Sequence, residues 1–196
     1  MVSEMKLACL LVAAGSGSRF GGDKLRLLID GQPMGVHALD VLQRAPFALR
    51  VLITSADKGY LIEAAKARHY DIVINPAPER GMSSSVRLGT EHISKTGAYD
   101  GILYAVADQP NVSAATVMRL LKAFSAEPGC IWAPEAEGKR GNPVIFPASL
   151  YEELMKVQGD RGGRQVIAAH PDLLRTMAVD ATELKDIDTK EDLPTC

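Results

Sequence analysis

The chain has 196 residues, of which 46% are apolar, and its 22 basic and 24 acidic residues give a formal net charge of −2 at pH 7. This length suits one domain over residues 1–196 with a single core. The nearly balanced charge gives no long-range attraction to nucleic acid or to an anionic membrane surface, so we expect no nucleic-acid partner and no membrane partner.

The cysteines and the first apolar run indicate the compartment. Cys9, Cys130 and Cys196 are odd in number, far apart and without metal-ligand spacing, which excludes a disulfide framework and a zinc site. The apolar run at residues 7–14 is too short for a membrane span and leads into a Gly-Ser loop, which argues against a secretory signal. We therefore expect a cytoplasmic protein.

Apolar runs alternate along the chain with amphipathic segments. Seven runs have the length and composition of β-strands: residues 5–14, 49–55, 70–75, 101–107, 129–135, 141–147 and 175–180. Between them, five segments place apolar residues at spacings of three and four: residues 34–45, 57–69, 82–95, 113–125 and 149–157. This alternation predicts a three-layer α/β/α domain with a mostly parallel sheet.

The glycine-rich segment VAAGSGSRFGGDK, residues 12–24, begins at the end of the first predicted strand. A dinucleotide fingerprint is not matched, because Phe20 stands where the third glycine belongs. A P-loop is not matched either, because Asp23 separates the last glycine from Lys24 and no Ser or Thr follows. With Arg19 and Lys24 adding positive charge, the segment favours a phosphate cradle, and the alternative is a plain glycine-rich turn.

A second polar position follows the predicted strand at 101–107. Asp108 comes directly after that strand, and Pro110 ends the segment. Because ligands of open α/β sheets bind at the carboxyl ends of the strands, Asp108 and the glycine-rich loop should share one crevice. A carboxylate there can bind Mg²⁺ through oxygen, although an Asp at a strand end can also be a turn or cap residue.

Five segments, in this order, resemble the MobA/MocA-like nucleotidyltransferases that mature molybdenum cofactor, most closely the cytidylyltransferases among them. They are residues 12–24, ADQP (107–110), GNPVIFP (141–147), GDRGGR (159–164) and DIDTKEDL (186–193). The resemblance spans nearly the whole chain. It implies a Rossmann-like sheet with one antiparallel strand, an N-terminal part that binds the nucleotide and a C-terminal part that binds the acceptor.

The resemblance also implies an activity. An enzyme of this kind transfers CMP from CTP to the phosphate of molybdopterin, the organic part of molybdenum cofactor, releases pyrophosphate and requires Mg²⁺. Its product serves molybdenum hydroxylases, so a hydroxylase is a possible partner. Two alternatives stay open: a nucleotidyltransferase with another phosphorylated acceptor, and a non-catalytic carrier or chaperone of molybdenum cofactor.

Site residues follow from the matched motifs. Lys24 and Arg19 would hold the triphosphate, and Asp108 would bind the metal together with Asp188, for which Asp186 is the alternative. The segment at 186–193 could also begin a helix with a capping box. The nucleotide-binding set comprises Ala13, Ala14, Gly15, Ser16, Gly17, Ser18, Gly21, Asn75, Ser83, Ser84 and Ser85.

Three features of these sets leave alternatives open. The serines at 83–85 could instead cap helical N–H groups. Ala13 and Ala14 stand where guanylyl relatives carry Gly-Gly, which favours a pyrimidine base by roughly 1 to 3 kcal/mol. The acceptor-binding set comprises Gly141, Asn142, Pro143, Asp160 and Arg161. The nearby cations at 139, 140 and 164 could bind the same acceptor or could be ordinary surface charges.

Overall fold

The computed structural model describes residues 5–15 and 22–187. The strands in these residues are β1 (Leu7–Ala13), β2 (Leu28–Ile29), β3 (Gln32–Pro33), β4 (Leu49–Thr54), β5 (Asp71–Ile74), β6 (Gly101–Val106), β7 (Ile131–Ala136), β8 (Lys139–Arg140), β9 (Val144–Pro147) and β10 (Leu174–Ala178). The α-helices are α1 (Met34–Gln43), α2 (Gly59–Lys66), α3 (Met82–Thr96), α4 (Ala114–Ala126), α5 (Tyr151–Leu154) and α6 (Arg164–Ala169).

A mixed, mostly parallel sheet runs through the described residues in the order β10-β7-β9-β6-β1-β4-β5, and β8 also pairs with β7. Strands β6, β1, β4 and β5 are parallel, as are β7 and β10. Strand β9 runs antiparallel to both of its neighbours, β6 and β7. The predicted fold class is therefore confirmed, including a reversed strand within the predicted segment 141–147.

Strand β1 shows why the sheet has a layer on each face. Every residue of β1 is buried, as expected for a strand that is covered on both sides. Its side chains alternate: Cys9 and Leu11 join a core layer that includes residues of α1 and α4, whereas Ala8 and Leu10 join a layer that includes residues of α3 and α6. Because successive side chains of a strand point to opposite faces of the sheet, this one apolar run contributes to both core layers.

Several short elements differ from the sequence prediction. The hairpin of β2 and β3, the strand β8 and the helix α6 have two to six residues each, too few for a recognisable periodicity. The strand predicted at 141–147 is shorter in the structure, where β9 covers only Val144–Pro147. In the described part of the chain, no helix is both long enough and apolar enough to cross a membrane.

Candidate active site

Lys24 and Asp108 meet at the carboxyl ends of the two central strands. The Ala107 backbone N–H donates to the Val12 carbonyl at 3.1 Å, which extends the pairing of β6 with β1 up to Asp108. Lys24 Nζ lies 2.8 Å from Asp108 Oδ2, and the two side chains are 17% and 27% exposed. The predicted crevice therefore contains a salt bridge that a ligand can still reach.

A short turn presents Lys24. Residues 24–26 form one 3₁₀ turn, and Asp23 caps it by accepting a hydrogen bond from the Leu25 N–H at 3.2 Å. The Leu25 side chain is buried in the core. Its burial and the Asp23 cap fix the direction of the turn from which Lys24 extends.

The segment that precedes Asp188 packs against Asp108. The Ile187 N–H donates to the Asp108 carbonyl at 3.0 Å, and the Ile187 side chain is buried. Gln109 Nε2 donates to Asp186 Oδ1 at 2.7 Å and to the Leu184 carbonyl at 3.3 Å. The motifs around Asp108 and Asp186 are thus neighbours, as the resemblance implies, whereas Asp188 lies outside the described residues.

The donor chemistry at Asp108 bears on the predicted Mg²⁺. No cluster of three or more His, Cys, Asp or Glu arranged to hold a metal occurs in residues 5–15 and 22–187. Mg²⁺ is usually held by one or two carboxylates and by the phosphates of the substrate rather than by a complete protein cage. Asp108, beside a lysine at the predicted phosphate site, fits this kind of metal site.

The residues predicted to bind the nucleotide after β5 form one hydrogen-bonded group. Asn75 Nδ2 donates to Ser84 Oγ at 2.8 Å and to Ser85 Oγ at 3.0 Å, and Asn75 Oδ1 accepts from the Ala77 N–H at 3.0 Å. Ser84 Oγ donates to the Gly81 carbonyl at 2.8 Å. Direct contact of these side chains with a nucleotide stays a prediction.

The structure does not support the alternative role of the serines, which is to cap the N-terminus of α3. No side chain caps the helix at its N-cap residue, Gly81. Ser83 Oγ instead accepts a hydrogen bond from the Gly162 N–H at 3.2 Å. The serines therefore join α3 to the loops around it.

A pocket of about 390 Å³ adjoins this group of polar residues. Asn75, Ser83 and Ser84 line it, and so do the guanidinium-bearing side chains of Arg80 and Arg87. These two arginines are not among the residues predicted from the sequence. Their position in the ERGMSSSVR stretch, on either side of the predicted serines, is the signal that could have identified them.

The remaining predicted nucleotide residues lie in or beside the glycine-rich loop. Ala13 and Ala14 are 3% and 2% exposed, and Ala13 belongs to the core layer that includes residues of α1. Gly15 is exposed. The residues that lie outside the described part of the chain are Ser16, Gly17, Ser18, Arg19 and Gly21.

A cleft of about 630 Å³ lies between α3 and the β7–β9 region, a volume typical of small-molecule sites. Four of the five predicted acceptor residues line it: Gly141, Asn142, Asp160 and Arg161. The fifth, Pro143, lies instead in a small apolar cavity beside Gln109 and Pro110. Val12 and Val106, at the ends of β1 and β6, place one wall of the cleft at the same sheet edge as Asp108.

Basic side chains outnumber carboxylates in the lining of the cleft. Three further cations line it: Lys139, Arg140 and Arg164. Other lining side chains are apolar or aromatic, among them Val144, Phe146 and Ile167. Two sequence motifs thus bring their cations to one cleft whose other lining is largely apolar.

The loop around Asp160 fits closely against the start of α3. Gly81 has a φ of +85°, and a Cβ at this position would overlap the Asp160 carboxylate. Met82 and Val86 of α3 line the cleft, whereas Ser83 and Ser84 line the 390 Å³ pocket. The first turn of α3 therefore borders both the pocket and the cleft.

The sequence family and the fold together identify the chain as a nucleotidyltransferase. The chain belongs to the MobA-like NTP transferase domain family, whose sequence model matches residues 9–174. The resemblance expected from the motifs is confirmed at the level of this family.

Two relatives and one solved structure are similar to this chain. The chain is 30% identical to the nicotine blue oxidoreductase of Paenarthrobacter nicotinovorans over 99% of this chain and 96% of that protein. It is 27% identical to the molybdenum cofactor guanylyltransferase of Cupriavidus metallidurans over 98% and 95%. The crystal structure of Rv0371c from Mycobacterium tuberculosis H37Rv matches with a TM-score of 0.82 at 24% identity over 96% and 95% of the chains, and Rv0371C has also been crystallised with manganese.

Proposed function

We propose that this nucleotidyltransferase transfers CMP from CTP to the phosphate of molybdopterin and releases pyrophosphate. The observation that supports this proposal best is the 2.8 Å pair of Lys24 and Asp108 beside the cation-lined cleft. It brings a phosphate-binding cation and a metal-binding carboxylate to the sheet edge where an acceptor has room to bind. In such a complex, a phosphate of the acceptor would attack the α-phosphorus of the nucleotide.

The chemistry requires neutralisation of charge more than proton transfer. A phosphate monoester is already an anionic nucleophile, so the site needs no general base. Lys24 would bind the triphosphate and stabilise the charge that develops on the departing pyrophosphate, with Arg19 as a second cation. Asp108, with Asp188, would hold the Mg²⁺. When bound, this ion would neutralise phosphate oxygens and orient the triphosphate.

The lining of the cleft favours a flat heterocyclic acceptor. Guanidinium groups such as Arg161 and Arg164 bind phosphate and polar ring edges in bidentate geometry. Phe146 and Ile167 offer apolar contact, which suits a pterin ring better than a polyol. The protein could then pass its product to a molybdenum hydroxylase.

The choice of CTP depends on Ala13 and Ala14. By the motif match these two residues stand where guanylyl relatives carry Gly-Gly, and a larger side chain beside the base would favour a pyrimidine. GTP is the second candidate, because two observations favour it. A relative at 27% identity is named a guanylyltransferase, and the Ala13 side chain is packed into the core.

The test is to incubate the purified protein and Mg²⁺ with each of the four NTPs and one acceptor, which is molybdopterin, methylerythritol phosphate or a sugar phosphate, and to measure pyrophosphate. We expect release with CTP. Release with GTP alone would overturn the choice of base, and release only with methylerythritol phosphate or a sugar phosphate as acceptor would overturn the acceptor. Tight cofactor binding without pyrophosphate from any NTP would indicate a carrier.

One pair of variants connects this test to the site. Asp108→Asn keeps the size of the side chain but removes its charge, so we expect turnover to fall by roughly 100-fold or more while the fold is retained. Asp172→Asn is the matched control, because this carboxylate is exposed and lies outside the five matched motifs. Equal turnover in the two variants would exclude Asp108 as a metal ligand.

A further inference from the structure

Lys58 is a buried cation close to the predicted phosphate site. Its side chain is only 3% exposed, and its Nζ lies 2.9 Å from Asp23 Oδ1. A buried lysine is costly to the folded state unless an opposite charge compensates it. Lys58 is the N-cap residue of α2, and its carbonyl accepts hydrogen bonds from the N–H groups of Leu61 and Ile62, so its backbone is also fixed.

Asp23, the partner of Lys58, is the residue directly before Lys24. The same Asp23 oxygen that contacts Lys58 also accepts the Leu25 N–H and so caps the 24–26 turn. Its second oxygen lies 3.6 Å from Arg26 Nε, and the Arg26 guanidinium lies 4.1 Å from the centre of the Tyr60 ring. The turn is therefore attached to α2 through Asp23.

We propose that Lys58 and Asp23 are positioning residues that hold the 24–26 turn so that Lys24 reaches Asp108 and the phosphates of the nucleotide. Lys58 fixes Asp23, Asp23 fixes the turn, and the turn directs Lys24. This inference rests on the proposed nucleotidyl transfer for its kinetic consequences but not for its geometry.

The ion pair of Lys58 with Asp23 also affects the electrostatic potential at the predicted phosphate site. Without a cation beside it, the Asp23 carboxylate next to Lys24 would repel an incoming triphosphate. Lys58 compensates that charge from the buried side, and Arg26 does so only from an exposed position at a longer distance. The positive charge of Lys24 therefore remains effective toward the ligand.

The kinetic test compares Lys58→Met with Lys66→Met. Methionine keeps most of the apolar stem of Lys58 and removes the charge, so we expect kcat/KM for CTP, or for the nucleotide that the four-NTP assay selects, to fall about 10- to 100-fold. Lys66 is the matched control on the same helix, because it is 58% exposed and forms a surface pair with Glu63 at 2.8 Å. Lys58→Arg, which keeps the charge, should restore most of the loss.

Coupling to Lys24 separates positioning from a general loss of stability. If Lys58 acts mainly through Lys24, Lys58→Met should reduce the affinity for the same nucleotide much less in the Lys24→Ala background than in the wild-type background, and repulsion from the uncompensated Asp23 carboxylate accounts for the remaining loss. Losses that multiply in the double variant would overturn the proposal, because Lys58 would then act independently of Lys24. Binding is measured by calorimetry so that it does not depend on residual turnover.

Crystal structures distinguish failure of this inference from failure of the proposed function. We expect the Lys24 Nζ to Asp108 contact to be present in the wild-type protein and in Lys66→Met, and to be lost in Lys58→Met. Retention of the contact in Lys58→Met would overturn the positioning role. A wild-type protein that releases no pyrophosphate from any NTP would overturn the proposed function but leave this geometric test intact.

Discussion

Ser83 Oγ accepts a hydrogen bond from the backbone N–H of Gly162 at 3.2 Å, and this bond joins the first turn of α3 to a loop 79 residues further along the chain. Ser83 belongs to the group predicted to bind the nucleotide, and Gly162 to the loop predicted to bind the acceptor. Both residues are buried. The two parts of the proposed site are therefore mechanically connected, and a change in one should affect the other.

Ser83→Ala tests this connection. The variant leaves the Gly162 N–H buried without its acceptor, so we expect the free energy of unfolding to fall by about 1 to 3 kcal/mol and the KM for the acceptor to rise. Urea denaturation and acceptor titrations measure the two effects. Ser94→Ala is the control, since Ser94 is exposed on the same helix and its hydroxyl donates only to the Glu91 carbonyl. Identical behaviour of the two variants would contradict the prediction.

Gly81→Ala tests the close approach of Asp160 to α3. The φ of +85° disfavours any L-residue, and the new methyl group would displace the Asp160 carboxylate. We expect the folded state to lose about 1 to 3 kcal/mol and acceptor binding to weaken. Gly59→Ala has the opposite expected sign, because no atom lies within 4 Å of a Cβ there and the substitution reduces the entropy of the unfolded chain. Thermal melts of both variants show whether the signs differ.

Asp40 gives a prediction for pH. Burial alone would raise the pKa of Asp40, but the hydrogen bond and charge of Arg68, with a hydrogen bond from Gln32, outweigh it and hold the pKa below its ordinary value. A carboxyl group with a lowered pKa in the folded state stabilises the protein above its unfolded pKa of about 3.9 and loses that contribution as the pH falls further.

The variant Asp40→Asn measures this contribution. At pH 7 the wild-type protein should be more stable than the variant by at most about 1 kcal/mol, because the pair with Arg68 is partly exposed. The difference should shrink as the pH falls below about 4. Urea denaturation of both proteins between pH 7 and pH 2.5 provides the comparison, and a difference that does not change with pH would argue against the role of Arg68.

The sheet and the meeting of Lys24 with Asp108 could be predicted from sequence. Apolar runs record burial directly, and residues that follow adjacent parallel strands must emerge at one edge. The pairs that hold the site together could not be predicted. Lys58 and Asp23 are 35 residues apart, and nothing in the local pattern of either segment distinguishes a buried ion pair from two surface charges.

Two details of the candidate site also depend on tertiary contacts that the sequence pattern does not reveal. The serines at 83–85 have the composition of a helix cap, yet their partners come from Asn75 and Gly162, which only the tertiary structure brings near. Pro143 belongs to a matched motif but is packed beside Gln109. By contrast, the burial of Ala13 could be predicted from sequence, because Ala13 lies in the continuous apolar run of β1, in which every residue is buried.

The reversed direction of β9 has a consequence for how specificity can change. Because β9 runs against its neighbours, the chain leaves β7, turns through β8 and enters β9 at the edge where Asp108 lies. Antiparallel pairing of β8 with β7, for example of Arg140 with Glu135, stabilises this segment. The segment between β7 and β9 can therefore gain residues or change its charge during evolution to suit a different acceptor, while the parallel strands that carry the predicted nucleotide-binding residues keep their register.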